Sequence, residues 1–281
     1  MDGRPDPVHR LPVWIRPAVR RGARLAALAL LALVVPACAT AVLMPSGEWV
    51  DLSWEYSAET VYWPTSGAFE YQSLTAGMTD NGYWYAADRF CTAAHGGTHM
   101  DAPSHFGEGR RTVDQVPVGQ LIGPAVVVDV SSRAHADRDY QVTVQDLADW
   151  EIDFGRMPRG AIVLLRTGFS QYWPDAVKYL GTAKKGEEGV AELHFPGLHP
   201  TAAQWLCNRG IGAVGIDTAS IDYGQSRFFD SHRVLAARDI PILENVAHLE
   251  RLPLDGAWVV ALPMKVKGGT GGPVRIAALV R

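Results

Sequence analysis

The stretch "GPAVVVDVS", Gly123–Ser131, is the part of the sequence that decides the fold class. It is a continuous apolar run rich in β-branched valine, a pattern typical of a buried strand. A second run, "RGAIVLLRTG" (Arg159–Gly168), has the same character. The two runs predict a domain built around buried strands.

The segments around these runs predict strands that alternate with a few short helices. "VTVQDLADWE" (Val142–Glu151) offers Thr143 as an N-cap with Asp146 three residues later, so a helix is expected there. "HPTAAQWLCNRG" (His199–Gly210) predicts a second helix that ends at Gly210. Because no regular strand–helix–strand repeat is present, the pattern favours a single α/β domain with a mixed sheet or a barrel-like core. The other predictions are a strand at residues 49–56, short strands and loops within 59–90, strands in "IGAVGID" (Ile211–Asp217), "GAWVVALPMKV" (Gly256–Val266) and "GPVRIAALV" (Gly272–Val280), and a helix followed by a strand in "SHRVLAARDIPILEN" (Ser231–Asn245).

Size and charge are those of an ordinary globular domain. The sequence has 281 residues, 47% of them hydrophobic and 20% charged, which fits one large domain or two small ones. With a net charge of −4 and no basic stripe, no nucleic-acid partner is expected.

The glycine-rich "GGTGGPVR" (Gly268–Arg275) lacks the G-K-[ST] of a phosphate loop and precedes a strand, so we expect a bend there.

The first 41 residues have the organisation of a secretory signal peptide. Residues 1–24 hold six arginines against two aspartates, and an apolar run of eleven residues, Leu25–Val35, follows. The next segment, "PACATA" (Pro36–Ala41), consists mainly of small residues that suit cleavage. The body, residues 42–281, is therefore expected to be exported to the periplasm or the cell exterior.

Two other fates of the N-terminus stay open. "VPAC" resembles a weak lipoprotein box, which would leave Cys38 lipidated. Residues 25–43 are barely long enough to span a bilayer as an uncleaved anchor. Either fate would tether the body to a membrane.

The body contains only two cysteines, Cys91 and Cys207. A disulfide between them is permitted outside the cytoplasm, but nothing in the spacing demands one. Two buried free cysteines are the favoured interpretation.

The segment "HGGTHMDAPSHF" (His95–Phe106) concentrates the candidate chemistry. Imidazole and carboxylate are common metal ligands. Its two glycines disfavour a helix and let the chain turn, so that His95 and His99 can approach each other. His99 and Asp101 fall on the same side of an extended strand, and His105 is near enough to be an outer ligand or a base. Two imidazoles and a carboxylate leave room for water, as in catalytic metal sites; a solvated loop or a hydrogen-bonded core network is the alternative.

The same segment resembles the H-x-G-T-H-x-D-x-P-x-H motif of the cyclase family of metal-dependent hydrolases, which includes bacterial kynurenine formamidase and isatin hydrolase. Every defined position of that motif is matched. The resemblance covers most of residues 50–281. It extends through "TVYWPT" (Thr60–Thr65), "GIDTASID" (Gly215–Asp222), "SHRVLAARDIPILEN" and "GGTGGPVRI".

The resemblance implies a swivelling β/β/α fold, a homodimer, and a pocket that holds zinc or manganese as one ion or two. By it, six side chains surround the metal: His95, His99 and Asp101 as primary ligands, His105 as a second-site ligand or proton shuttle, and His232 and Glu244 as the rest of a second metal position. Without the resemblance, His232 and Glu244 are weak candidates, because an isolated histidine in a helix is more often a surface or cap residue.

The predicted reaction is hydrolysis of a small amide or lactam, such as an aryl formamide or an isatin-like ring. A divalent metal lowers the pKa of a bound water to about 7, and the resulting hydroxide attacks the carbonyl carbon. His105 carries the proton to the departing nitrogen, and Glu244 or His232 substitutes if only one metal binds. Five aromatic side chains are candidates for a wall that stacks on a planar substrate: Trp54, Tyr62, Trp63, Phe69 and Phe106. Core packing is the favoured interpretation for each of them except Trp63, and Trp63 and Phe106 are the predicted substrate-binding pair.

Other functions stay open beside this one. The same pocket could serve a non-catalytic exported protein that binds a metal or a small ligand, or a lactone or imide hydrolase of the same fold. The presence of His105 favours the enzyme, because binding alone needs no proton shuttle.

Overall fold

The structure, a computed structural model, describes residues 46–281. The predicted signal peptide or anchor in residues 1–41, with Cys38, lies outside the described residues. None of the helices within residues 46–281 combines the length and the hydrophobicity that a membrane span requires.

Strands dominate the described part of the chain, and the helices are short. The strands are β1 (Glu48–Asp51), β2 (Glu70–Met78), β3 (Trp84–Cys91), β4 (His99–Asp101), β5 (Ile122–Asp129), β6 (Gln141–Val142), β7 (Ile162–Arg166), β8 (Gly197–Leu198), β9 (Ala213–Ile216), β10 (Ile242–Glu244), β11 (Asp255–Pro263) and β12 (Gly271–Val280). The α-helices are α1 (Ser131–Ala136), α2 (Val144–Phe154), α3 (Ala176–Leu180), α4 (Gly186–Ala191), α5 (Pro200–Arg209) and α6 (Asp230–Ala236). Short 3₁₀ helices lie at Pro103–His105, Val113–Gln115, Val118–Gln120, Phe169–Tyr172 and Leu249–Arg251.

Seven strands close into a ring. Their order is β12, β11, β5, β7, β9, β10 and β4, and β4 pairs back onto β12, while β1 adds to the other end of β12. The neighbours among β5, β7, β9 and β10 are parallel, and the remaining pairs are antiparallel. This mixed, barrel-like sheet with short helices confirms the predicted fold class.

The ring explains why the valine run shows no alternation of polar and apolar residues. In β5, Ala125 and Val127 belong to a core cluster to which every strand of the ring contributes. Val126 and Val128 point the other way and pack with side chains of α2 and α5. Because the strand is buried on both faces, every position favours an apolar residue.

The predicted helix ends are confirmed by their caps. Thr143 accepts a hydrogen bond from the backbone N–H of Asp146, and the Asp146 side chain accepts one from the Thr143 backbone, which completes a capping box at the start of α2. Helix α5 ends at Gly210, whose φ of +70° suits glycine.

Three expectations about the N-terminal half are wrong. The strand expected over residues 49–56 ends at Asp51, because the Leu52 carbonyl accepts a hydrogen bond from the N–H of Ala247, which lies outside β12, and the N–H of Trp54 donates to the hydroxyl of Thr98. Instead of only short strands and loops, residues 59–90 contain one long hairpin, formed by β2 and β3. Cys91 is exposed at the end of β3, although it and Cys207 are both free.

Candidate metal centre

The loop before β4 and β4 itself bring the first three candidate ligands together. Gly97 adopts φ +59°, which turns the chain so that the His95 ring meets the strand. His95 Nδ1 lies 2.6 Å from Asp101 Oδ1, and His99 Nε2 lies 3.2 Å from the same oxygen. The convergence expected from the glycine turn and from the period of the strand is therefore present.

The other two ligand candidates reach the same place from distant parts of the chain. Strand β10 pairs with β4 so that Glu244 stands opposite His99, and the Glu244 Oε2 lies 3.3 Å from His99 Nε2. His232, on α6, places its Nε2 3.1 Å from Asp101 Oδ2 and 3.1 Å from Glu244 Oε1. Two groups of three result, His95 with His99 and Asp101, and Asp101 with His232 and Glu244, and within each group the ligand atoms lie within 4.8 Å of one another.

His105 lies beside these groups and belongs to neither. It ends the short 3₁₀ helix that Pro103 begins, and its ring stacks on His95 with centroids 3.7 Å apart. Its Nε2 is 4.0 Å from Asp101 Oδ2. Burial lowers the pKa of His105 to about 4 against the opposing field of Asp101, so the imidazole is neutral near pH 7.

Hydrogen bonds behind the imidazoles fix which nitrogen faces the centre. His99 Nδ1–H donates to the Gly97 carbonyl at 3.0 Å, and His232 Nδ1–H donates to Asp222 at 2.7 Å. Asn245 also donates to the Gly97 carbonyl, at 2.7 Å. In both histidines Nε2 therefore faces the carboxylates. Hydrogen bonds of this kind commonly fix the orientation of histidines that bind metals.

The charges of the centre suit a cation. Burial by itself would lower the pKa of His99, but the carboxylates of Asp101 and Glu244 overcome burial and raise it to about 10. Burial would likewise raise the pKa of Asp101, yet hydrogen bonds from the three surrounding imidazoles hold it well below its usual value. Two buried carboxylates that draw protons onto their neighbours need positive charge, and a divalent cation would supply that charge in exchange for those protons. Imidazoles and carboxylates are also ligands that zinc and manganese accept.

The cavity beside these ligands has a volume of about 280 Å³ and a partly aromatic wall. Trp63 and Phe106, the predicted substrate-binding pair, both line the cavity, and the ring of Phe229 lies 6.1 Å from that of Trp63 and 5.1 Å from that of Phe106. Among the described residues that line the cavity there is no lysine or arginine. The cavity therefore pairs a flat apolar surface with the polar ligand cluster.

The other three aromatic candidates for the wall, for which core packing was the favoured interpretation, lie elsewhere. Trp54 stacks on Trp173 at 5.4 Å in a separate cavity. Tyr62 is buried against Gly96, where an added Cβ would lie 2.1 Å from its ring, so its role is packing. Phe69 packs against Phe90 of the hairpin. Their position in an N-terminal β segment did not distinguish the pocket wall from the core.

A sequence model of the family described as "Putative cyclase" matches residues 50–223. The chain belongs to the cyclase family. Isatin hydrolase of Roseibium aggregatum is 30% identical over 86% of this chain and 90% of its own length. Kynurenine formamidase of Bacillus cytotoxicus is 29% identical over 85% of this chain and 99% of its own length. The crystal structure of an isatin hydrolase bound to the product analogue thioisatinate superposes with a TM-score of 0.75, at 29% identity, and the match covers 83% of this chain and 92% of that one.

These relatives are hydrolases, so the predictions of the cyclase family and of an enzyme are confirmed.

Several side chains that shape this site were not predicted from the sequence. Asp222 closes the quoted "GIDTASID" segment, and that motif was the one signal that could have indicated it. Asn245 and Phe229 sit next to or near predicted ligands, but no spacing pattern distinguishes them from structural residues.

Proposed function

We propose that this cyclase-family protein is a divalent-metal-dependent hydrolase of carbon–nitrogen bonds outside peptides, acting on an aryl formamide or a cyclic amide. One observation carries the proposal: five buried or half-buried donors from three separate segments converge on one space, with Asp101 shared between two groups of three. The sharing allows two ions, and the donor types support zinc or manganese. The names of the relatives, a hydrolase of the cyclic amide isatin and a formamidase, support the bond class.

The cation would supply Lewis acidity, polarising the substrate carbonyl and making a nearby water more acidic. This chain's part in the reaction is to hold the donors and to move a proton. A water oxygen bonds to the amide carbon, and neutral His105 accepts the proton that this water releases. The carbon–nitrogen bond then breaks, and His105 returns the proton to the departing nitrogen. The stacked ring of His95 holds His105 in place for both transfers.

The aromatic wall supports a planar ring in the substrate. Trp63, Phe106 and Phe229 all line the cavity, and the ring of Phe229 lies 6.1 Å from that of Trp63 and 5.1 Å from that of Phe106. Stacking on such a surface favours flat aromatic rings over aliphatic chains of equal volume. A cavity of about 280 Å³ suits one fused ring system or one substituted ring.

The experiment that tests the proposal is metal-controlled hydrolysis by residues 42–281. The purified protein is stripped with chelator, reloaded with zinc or manganese, and tested on isatin, N-formylkynurenine, cyclic imides and lactones. We expect activity on an amide that disappears with the metal and returns on reloading. Activity that survives the chelator would contradict the metal mechanism, and tight metal binding without any hydrolysis would favour the non-catalytic binding protein instead.

We also propose that the protein forms a homodimer through the hairpin of β2 and β3. The hairpin strands pair only with each other, and a two-stranded ribbon alone is marginally stable in water. Its exposed apolar side chains are Tyr71, Leu74, Met78, Trp84, Tyr85 and Phe90. Light scattering should give twice the mass of one chain. The double variant Tyr71→Ser, Trp84→Ser should give the mass of a single chain, whereas Ile152→Ser, at an exposed position of α2, should leave the dimer intact. A monomeric parent protein would refute the dimer.

Export remains part of the proposal, on the composition of residues 1–41 alone. Mass spectrometry of the mature N-terminus would distinguish cleavage, lipidation at Cys38 and an uncleaved anchor. Recovery of the intact chain from the cytoplasm would contradict export.

A further inference from the structure

The glycine-rich bend between β11 and β12 reaches the metal centre. The backbone carbonyl of Thr270 accepts a hydrogen bond from the N–H of Ala102 at 2.8 Å, and the next residue, Gly271, pairs with Asp101 in the ladder between β12 and β4. The backbone of Thr270 is therefore fixed directly beside the ligand strand. Its hydroxyl oxygen lies 2.9 Å from Nε2 of His95.

The His95 ring rests on the same bend. A Cβ added at Gly271 would lie 2.6 Å from His95 Cε1 and 3.1 Å from its Nδ1, so the imidazole lies against bare backbone. His105 stacks on the ring at 3.7 Å, and Nδ1 faces Asp101 at 2.6 Å. Thr270 is the one hydrogen-bond partner of Nε2 among residues 46–281.

His95 is oriented in the opposite sense to the other two imidazoles of the centre. His99 and His232 are anchored through Nδ1 and turn Nε2 toward the carboxylates. His95 is anchored through Nε2 and turns Nδ1 toward Asp101. An imidazole that binds a metal through Nδ1 carries its proton on Nε2, and a hydrogen-bond acceptor beside Nε2 favours that tautomer.

We propose that Thr270 is the positioning residue that supplies this acceptor, fixing His95 in the tautomer with Nε2 protonated and Nδ1 free to bind the metal. The inference rests on the proposed metal site. It assigns a role to the bend, which the sequence had presented only as a turn. Thr270 is exposed, so removal of its hydroxyl has little direct effect on the core.

The test compares Thr270→Val, which keeps the shape without the hydroxyl, with Thr270→Ser, which keeps the hydroxyl. Zinc dissociation constants are measured by competition with a chromophoric chelator, and the ¹⁵N shifts of the His95 ring are recorded in the zinc-loaded protein. We expect Thr270→Val to weaken zinc binding about 10- to 100-fold, as loss of an outer hydrogen bond to a ligand typically does, while Thr270→Ser stays near the parent value. The parent spectrum should show Nε2–H and a metal-bound Nδ1.

The outcomes separate this inference from the proposed function. Equal zinc affinity in the parent and in Thr270→Val, equal weakening in both variants, or a metal-bound Nε2 would overturn the role of Thr270 while leaving the metal site intact. A parent protein that binds no zinc or manganese would overturn the proposed function and this inference with it. Should Thr270→Val be insoluble, Thr270→Ala carries the same expectation.

Discussion

At the scale of single residues, His105 and the five ligand candidates have different chemical environments. The carboxylates draw protons onto His99, whose pKa rises to about 10, whereas burial lowers that of His105 to about 4. Titratable groups whose environments push their pKa values apart commonly divide the work of a site. This contrast supports the proposed division, in which the cluster binds the metal and His105 transfers protons.

Replacing His105 tests this division. We expect His105→Ala to lose about 10²- to 10⁴-fold in kcat, because general acid–base catalysis contributes an effect of that size, while its metal content stays that of the parent. Rates on the best amide substrate and metal analysis of the same sample measure both. His135→Ala, which removes an exposed histidine on α1, is the matched control and should change neither. Loss of metal from His105→Ala would show that His105 is a ligand.

Three of the five candidate ligands, His95, His99 and Asp101, were predictable from the sequence because the constraint that brings them together is local. In His95–Asp101 the glycine turn and the two-residue strand period bring the groups together within seven positions. Thr270 lies 175 positions from His95, and no local pattern shows that its hydroxyl meets the ring. His232 and Glu244 were identified by resemblance to the family, and their contact with Asp101 depends on how the whole sheet closes.

At the scale of elements, the buried strands carry the stability of the ring. Leu164 of β7 is fully buried in the cluster that fills the ring. We expect Leu164→Ala to lower the free energy of unfolding by about 2–5 kcal/mol, since it removes buried methyl groups and leaves a cavity. Denaturant unfolding of the metal-free protein measures the change.

The matched control removes an apolar side chain from the surface. Ile152 of α2 is 77% exposed, so Ile152→Ala should change the free energy of unfolding by no more than about 0.5 kcal/mol. Equal effects of the two substitutions would contradict the assignment of the barrel core.

Elements with strong local signals were predicted well, and elements held by distant partners were not. The valine run, the capping box at Thr143 and the glycine at 210 each specify structure within a few residues. The end of β1 is set instead by the hydroxyl of Thr98, 44 positions away from Trp54. The length of the β2–β3 hairpin went unpredicted because its residues face solvent on both sides and show no buried stripe.

At the scale of the whole molecule, the candidate metal centre lies at the seam where the ring closes. Strand β4 carries His99 and Asp101 and pairs with β10 on one side and β12 on the other. Closure thus brings Glu244 on β10 and the bend before β12 to the same ligands. An intact ring is therefore a condition for an intact site.

Metal binding should release protons. His99 has its pKa raised to about 10 without a cation, so below that pH the metal must displace its proton. We expect about one or more protons released per ion at pH 7, and an affinity that rises about tenfold per pH unit for each proton displaced. Calorimetry in buffers of different ionisation enthalpy measures the number, and zero release at pH 7 would contradict the charge state of the centre.

The raised pKa of His99 also sets how the stability of the metal-free protein depends on pH. A histidine whose pKa is raised on folding stabilises the protein fully below its unfolded value, near 6.5, and loses that contribution as pH rises toward about 10. Added metal should reverse the trend, because its binding strengthens over the same interval. Thermal unfolding with and without zinc from pH 6 to 9 should therefore show a gap in Tm that widens with pH.

Anomalous diffraction at the metal edge, from crystals of residues 42–281 grown with zinc or manganese, would locate the metal directly. We expect a peak at bonding distance from a carboxylate oxygen of Asp101 and from at least one of its neighbouring imidazoles. A metal-saturated crystal with no peak at Asp101, or with the rings of His95 and His99 turned away from it, would refute the metal site.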